Sequence, residues 1–359
     1  MLGVPVLVAV RPRREVTALV KIKDVAQLAG VAPSSVSRAL SNHPDVSEEM
    51  RSRVVRAAEQ LEYRPNLLAQ GLRRGQTRTV GFIVRDISIP TFAGIVKGAE
   101  EEFESLGYSI LLTNSLQSST LEAKHVEVLS QRQVDGLILS LQSESCPETI
   151  RSLERVQVPI VLLDRELDSI DCDSVCFDHA TGVRGAIEAL IELGHRRIGF
   201  IGGFPDRRAS RDRMDGYLSG LESAGIPLND SLVVQLRTTE HDEIDKGVRG
   251  LLRQKSRPSA ILASDGHLGV ALLTEMRESG IALGRDIAVV ICDDHDLLRL
   301  MEPPISVVAR DVELMGRVAA RLLIRRLNGS AAPPVQKILP TNFISRSLSG
   351  PVDSVQAIA

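Results

Sequence analysis

The side chains best equipped for chemistry in this 359-residue chain are arginines and hydroxyls, not paired nucleophiles and bases. The run FPDRRASRDR sets Arg207, Arg208 and Arg211 beside Arg213, and planar guanidinium groups match the geometry of carboxylates and phosphates. Such a run either holds an oxyanion or is a solvated charged surface, and the residues alone leave both readings open. Near the front, Ser34, Ser35, Ser37 and Arg38 form a second polar set. Catalytic constellations are missing: there is no dinucleotide GxGxxG after a strand, no phosphate loop GxxxxGK[ST], no GxSxG elbow and no zinc HExxH. His125, His179, His195, His241 and His267 are scattered, with His195 in LGHRRI at a helix end. Cys146, Cys172, Cys176 and Cys292 lack paired CxxC spacing and are too few for a disulfide framework, so they read as reduced thiols of a cytoplasmic protein. The expectation is a protein that is not an enzyme and calls for no metal and no cofactor.

Apolar residues make up 43% and charged residues 25%, ordinary for a globular protein. No apolar run approaches the roughly 18 residues of a membrane helix. The net charge of −3 conceals a segregation: residues 1–79 hold 13 Lys+Arg against 7 Asp+Glu, and residues 80–359 hold 30 against 39. A basic head on an acidic body points to a polyanion-binding module joined to something larger. From Ile22 to Tyr63 the pattern is three short helices. Val25, Ala26, Leu28 and Ala29 share a face and Gly30 ends the first. Pro33 opens the second, whose Val36, Ala39 and Leu40 form a stripe beside the polar set. Ser47 caps the third, and Met50, Val54, Ala57 and Leu61 cover the other two. Residues 65–76, RPNLLAQGLRRGQ from Arg64, read as a short hinge helix, formed only when something holds it, because two isolated turns are marginal in water.

Beyond Thr79, apolar runs alternate with amphipathic stretches. VGFIV (80–84), YSILLTN (108–114), GLILSL (136–141) and PIVLLD (159–164) read as buried parallel strands, with helices near 92–106, 120–132 and 147–155. The pattern restarts with RIGFIGG (197–203), LVVQL (232–236), AILASD (260–265) and IAVVICD (287–293). The predicted class is α/β: an all-α three-helix headpiece plus two doubly wound lobes, with a ligand cleft between the lobes.

At IKDVAQLAGVAPSSVSRALSNHPDVS, followed by EQLEYRPNLLAQGL, the chain resembles the LacI/GalR family of bacterial transcriptional regulators. The likeness continues through VGFIVRDISIPTF, LGHRRIGFIGG, RDRMDGY, IAVVICDD and ISVVARDVELMG, in family order and spacing, over about residues 21–348. It implies a helix-turn-helix headpiece on two periplasmic-binding-protein-like lobes, in a repressor of sugar or carbohydrate metabolism that binds a palindromic operator as a homodimer or tetramer and is switched by a small sugar-like effector. The absence of an extra C-terminal heptad helix favours the dimer. The implied organisation is an extension at 1–20, a headpiece at 21–64, a hinge at 65–76, a first lobe from 79–178 and 311–338, a second lobe from 179–310 and 339–348, and a tail at 349–359. Chain crossings between lobes are expected near Asp178, Arg310 and Pro340. Residues 1–20 read as a disordered extension or as lying upstream of the true start.

The resemblance assigns DNA contacts to Lys21, Ile22, Pro33, Ser34, Ser35, Ser37, Arg38, Ser41, Asn66, Ala69, Leu72 and Arg73. A helix starting near Pro33 can present early side chains to base edges in the major groove, and Arg38 can meet a guanine with two hydrogen bonds. Ser34 and Ser35 read bases weakly or contact phosphate. Leu72 matches the hinge leucine that wedges into the minor groove, with packing against the body as the alternative. The implied effector residues are Phe92, Asp164, Arg207, Arg213, Ser264, Asp265 and Asp293. Two carboxylates and a guanidinium suit the hydroxyls of a polyol, though Asp164 and Asp293 could instead cap helices or pair with arginines, and Asp265 could be a cap. Ile89, Cys292 and TTEHDEID depart from the family pattern and put aromatic stacking on a sugar in doubt, while the arginine run raises an acidic or phosphorylated sugar. A sugar-binding protein of periplasmic type without a DNA role is the alternative; it explains residues 80–345 but not the headpiece. In the cytoplasm of a bacterium, the protein would sit on the nucleoid when bound to DNA.

Overall fold

A computed structural model describes residues 20–64, 75–237 and 240–349. The expected extension, the hinge contacts Asn66, Ala69, Leu72 and Arg73, and the tail from residue 350 lie outside the described residues. The chain divides into a unit ending at Thr77 and a unit beginning at Arg78.

In the first unit, α1 (Ile22–Ala29), α2 (Pro33–Leu40) and α3 (Glu48–Gln60) enclose a small core of Val25, Ala26, Ala29, Val36, Ala39, Val54 and Ala57. Gly30 closes α1 with φ +65°, a left-handed conformation that a side chain would oppose, and this lets α2 begin three residues later. Pro33 occupies the first turn of α2, where its missing N–H loses nothing. Ser47 Oγ accepts from Met50 N at 3.3 Å and caps α3.

The second unit contains β1 (Thr79–Val84), β2 (Ser109–Asn114), β3 (Gly136–Leu139), β4 (Ile160–Leu163), β5 (Asp173–Phe177), β6 (Ile198–Gly203), β7 (Val233–Leu236), β8 (Ala260–Ala263), β9 (Ala288–Cys292), β10 (Ser306–Arg310), β11 (Gln336–Leu339) and β12 (Thr341–Ile344). They form two sheets, ordered β2-β1-β3-β4-β5-β11 and β7-β6-β8-β9-β10-β12. Each repeats one doubly wound order and closes with a late strand. All neighbours pair in parallel except β12, which runs antiparallel to β10. The central strands are buried on both faces, which is why they read as continuous apolar runs. β5, β10, β11 and β12 were not read as strands: β5 opens on Asp-Ser, and β11 and β12 are short, largely exposed edges.

The backbone leaves the first sheet after β5, returns after β10 and leaves again at Pro340 between β11 and β12. Asp178 N donates to the Leu339 carbonyl at 2.8 Å, and Thr341 Oγ1 donates to the Asp178 carbonyl at 2.7 Å, so the first and third passages are pinned together. Leu339 still pairs with Phe177 in the first sheet, one residue beyond 338. The returning helix Val312–Leu327 packs on helix Pro90–Ser105 at backbone contact. A Cβ on Gly316 would lie 1.9 Å from the Ile95 carbonyl oxygen, and one on Gly98 would lie 2.1 Å from that of Glu313.

Gly316→Ala should therefore force two backbones apart and destabilise the body by at least the roughly 1–3 kcal/mol of ordinary overpacking. A urea melt should show a lower midpoint with an unchanged slope; an unchanged midpoint refutes the close-approach argument.

Candidate functional site

On α2, Ser34, Arg38 and Ser41 are exposed at i, i+4 and i+7, whereas Ser35 and Ser37 are half-buried. One stripe of the helix therefore presents a hydroxyl, a guanidinium and a second hydroxyl. Arg38 makes no side-chain hydrogen bond or ion pair among the described residues. Arg51 of α3, which the sequence reading passed over, fastens the end of this helix: its guanidinium donates to the Ala39 carbonyl at 3.4 Å, to Asn42 Oδ1 and to the His43 carbonyl at 3.3 Å. No acidic side chain occupies the first turn of α2, so its positive end is open to phosphate. Lys21 is exposed at the start of α1, Ile22 packs against the small core, and Pro33 is exposed.

In the body, Asp164 follows β4 and Asp293 follows β9, equivalent strands of the two sheets. Both adopt left-handed backbone, φ +51° and +85°, which aspartate tolerates better than most residues. Arg310, at the end of β10, reaches both: Nη1 to Asp164 Oδ2 at 2.8 Å and Nε to Asp293 Oδ1 at 2.6 Å. The Phe177 N–H adds a hydrogen bond to Asp164 Oδ1 at 2.9 Å, and the Arg310 guanidinium lies 5.2 Å from the Phe177 ring centre. All three charged groups are buried.

Burial opposes ionisation of Asp164, but His179, Arg310 and the Phe177 N–H outweigh it and hold the carboxyl well below its usual range. Asp293 is lowered against the same penalty by Arg310 and Arg213. His179, 3.3 Å from Asp164 Oδ2, is itself depressed to about 4 by burial and by Arg213. It is neutral near pH 7, which leaves Arg310 as the cation of the triad.

The four clustered arginines separate. Arg208 pairs with Glu166 at 2.7 Å and Asp212 at 3.3 Å, and Arg211 pairs with Glu144 at 3.0 Å. Arg207 is buried, stacks on Phe204 with its guanidinium 3.6 Å from the ring centre, and donates Nε to the Gln142 carbonyl at 2.9 Å. Arg213 is buried without a hydrogen bond or ion pair among the described residues.

The remaining expected contacts take structural positions. Phe92 is buried in the first-lobe core with the Arg85 guanidinium 5.2 Å from its ring centre. Ser264 is buried at the end of β8, and Asp265 caps the next helix, accepting from Leu268 N at 2.9 Å. Sequence reasoning missed Arg85, Gln142, Arg165 and the bridging role of Arg310. Arg165, buried beside Asp164, donates to the Leu141 and Asp164 carbonyls at 2.8 and 2.5 Å. Glu122 accepts from Gln142 N at 2.8 Å and Thr149 Oγ1 at 3.1 Å, and burial raises its carboxyl to about 7. Among the described residues, no cluster of metal-ligating side chains occurs and no helix is long and apolar enough to cross a membrane.

Comparison with known proteins places these features in one lineage. Residues 21–66 match the model of bacterial regulatory proteins of the lacI family, and residues 187–347 match the periplasmic binding protein-like domain. The ribose operon repressor of Escherichia coli strain K12 is 30% identical over 309 residues, covering 85% of this chain and 92% of the repressor. A solved complex of the transcriptional regulator CelR with cellobiose is 32% identical, with TM-score 0.69, covering 91% of this chain and 99% of that one. A Lac repressor dimer bound to operator and the anti-inducer ONPF shares the fold, with TM-score 0.81 at 24% identity, covering 92% of this chain and 99% of that one.

Two outcomes follow from the buried charges. Arg310→Met strands two buried carboxylates and should destabilise the body by roughly 3–5 kcal/mol, read as a lowered denaturant midpoint; a wild-type midpoint removes Arg310 from its central place. Glu122 holds its proton more tightly folded than unfolded, so stability should fall as pH rises from about 4.5 to 7, by about 3 kcal/mol. Glu122→Gln should remove that fall; an identical pH profile in both proteins contradicts the protonated state.

Proposed function

The chain belongs to the lacI family of bacterial regulatory proteins, and from that premise we propose that it represses carbohydrate-metabolism genes through a palindromic operator under the control of a sugar-like effector. A homodimer would set two α2 helices in successive major grooves, with Arg38 at a guanine and Ser34 and Ser41 flanking it. Asn66, Ala69, Leu72 and Arg73 would contact the DNA from the hinge, with Leu72 as the minor-groove wedge and Arg73 at phosphate. Lobes spanning about 79–178 with 311–339 and 179–310 with 340–348 would enclose the effector. The reading has the protein act in the bacterial cytoplasm and assigns it no chemical step: it binds and it switches.

The observation that carries the reading is Arg310. One guanidinium holds carboxylates from both sheets, so a ligand hydroxyl that competes for Asp164 or Asp293 alters how the lobes are held. Asp164, Asp293 and Arg213 supply acceptors and a donor for several hydroxyls. A ligand that prefers one lobe arrangement shifts the population toward it by the difference in its affinities.

The decisive experiment is selection of duplexes from a randomised library by the full chain at fixed salt, repeated with pooled metabolites. A palindromic site should be enriched. Arg38→Ala should relax one position in each half-site at a cost of about 1–3 kcal/mol, whereas Lys21→Ala should weaken all sequences alike and flatten the salt dependence. Enrichment of the same motif by Arg38→Ala, at unchanged affinity, overturns this assignment of the reading helix.

A further inference from the structure

Three buried guanidinium nitrogens have no hydrogen-bond partner among the described residues: Arg85 Nε and Arg207 Nη2, which follow strand ends, and Arg213 Nε on the helix after β6. Their placement follows from the topology. In each sheet the strand order reverses at one point, between β1 and β3 and between β6 and β8, and ligands of doubly wound sheets bind outside such reversals. Arg85 directly follows β1, Gln142 lies just past β3, Arg207 follows β6 and Asp265 follows β8. The Arg207–Gln142 hydrogen bond joins the two reversals. We infer that the effector carries an acid group, a carboxylate or phosphate on a polyol, seated among Arg85, Arg207 and Arg213; this specifies the ligand of the cleft proposed above and rests on that reading.

The charge balance argues for an anion and not merely for further hydroxyls. Of the nearby carboxylates, Asp164 and Asp293 are held by Arg310, Asp265 caps a helix, Asp206 accepts from Ser143 Oγ at 2.9 Å, and Glu144 serves Arg211 and the Arg208 N–H; Asp206 and Asp265 offset only part of the positive charge of Arg207. Glu122 is half-protonated near pH 7. Arg165 adds another buried cation whose hydrogen bonds go to carbonyls. Arg85 is consequently lowered well below the usual arginine range by burial and then by Arg165 and Arg207, and Arg207 falls to about 9 by burial and then by Arg165. Neutral hydroxyls would satisfy the N–H groups yet leave the mutual repulsion intact; an oxyanion removes both deficits. Gln142 Oε1 is also buried without a hydrogen-bond partner among the described residues, an acceptor suited to a ligand hydroxyl. The same reasoning excludes an amine in this position.

The test is isothermal calorimetry on the full chain, which has no tryptophan to report binding by fluorescence. Glucose and galactose are compared with their uronic acids and 6-phosphates, and inorganic phosphate is added as the bare anion in thermal melts. An acid should bind at least tenfold more tightly than its neutral parent, and the uronate and phosphate arms identify which acid. Arg85→Gln and Arg207→Gln should each cost the acid at least tenfold, and Arg85→Gln, which breaks no hydrogen bond among the described residues, should also raise the melting midpoint of the ligand-free protein by relieving repulsion. Arg211→Gln, which breaks the pair with Glu144, should lower that midpoint and keep the acid preference. Neutral parents that bind as well as their acids overturn the inference. So do Arg85→Gln and Arg207→Gln proteins that keep the acid preference, and so does silence in every sugar arm with no stabilisation by phosphate. Operator binding by the unliganded wild type is measured in parallel, so that failure of the acid preference is distinguishable from failure of the repressor reading.

Discussion

The body is organised around one buried arginine shared by two aspartates that stand at equivalent strand ends of different sheets. Arg310 reaches the first sheet through Asp164 and the second through Asp293. Removing three charges from water is expensive, and their mutual attraction offsets that cost only when the geometry and the remaining hydrogen bonds are good. The Phe177 N–H on Asp164 helps meet that condition, as does the face of the Phe177 ring toward the guanidinium. A triad of this kind is weak support for stability but strong support for one particular arrangement of the lobes, because any other leaves a carboxylate stranded.

The same constraint explains the division of labour among the other arginines. Arg208 and Arg211 are neutralised by Glu166, Asp212 and Glu144 and fasten one lobe to the other. Arg207 and Arg213 are buried with nitrogens left over. A folded chain tolerates such deficits where another interaction offsets them or where a ligand completes them. The two glycines at the crossing of helices Pro90–Ser105 and Val312–Leu327 serve the opposite purpose: they remove freedom, locking the returning segment to the first lobe at backbone contact.

Legibility in the sequence tracked the range of the interactions. Strands buried on both faces were readable because burial imposes unbroken apolar runs, and the headpiece because Gly30, Pro33 and Ser47 act on their immediate neighbours. β5 was not readable, since its leading Asp173 becomes tolerable through distant partners: Arg326, which is 153 residues away and donates twice at 2.8 Å, and the Val335 N–H, which donates at 2.8 Å. Arg310 gave no local signal because its partner Asp164 is 146 residues distant. The arginine run showed that guanidinium chemistry was present, but sorting it needed carboxylates contributed by the first lobe.

The order of the strands also has a consequence for synthesis. The first sheet is completed by β11, and the second by β12, both formed from the final tenth of the described chain. The headpiece is a separate unit whose core closes by Tyr63. At ribosomal speeds of about 5–20 residues per second, the remaining chain emerges over roughly 15 to 60 seconds. Throughout that interval the nascent polypeptide holds every residue of the three-helix core but lacks the strands that complete the two sheets. Closure of the sheets is the last event of synthesis, and a message truncated before β11 leaves both of them without their final strand.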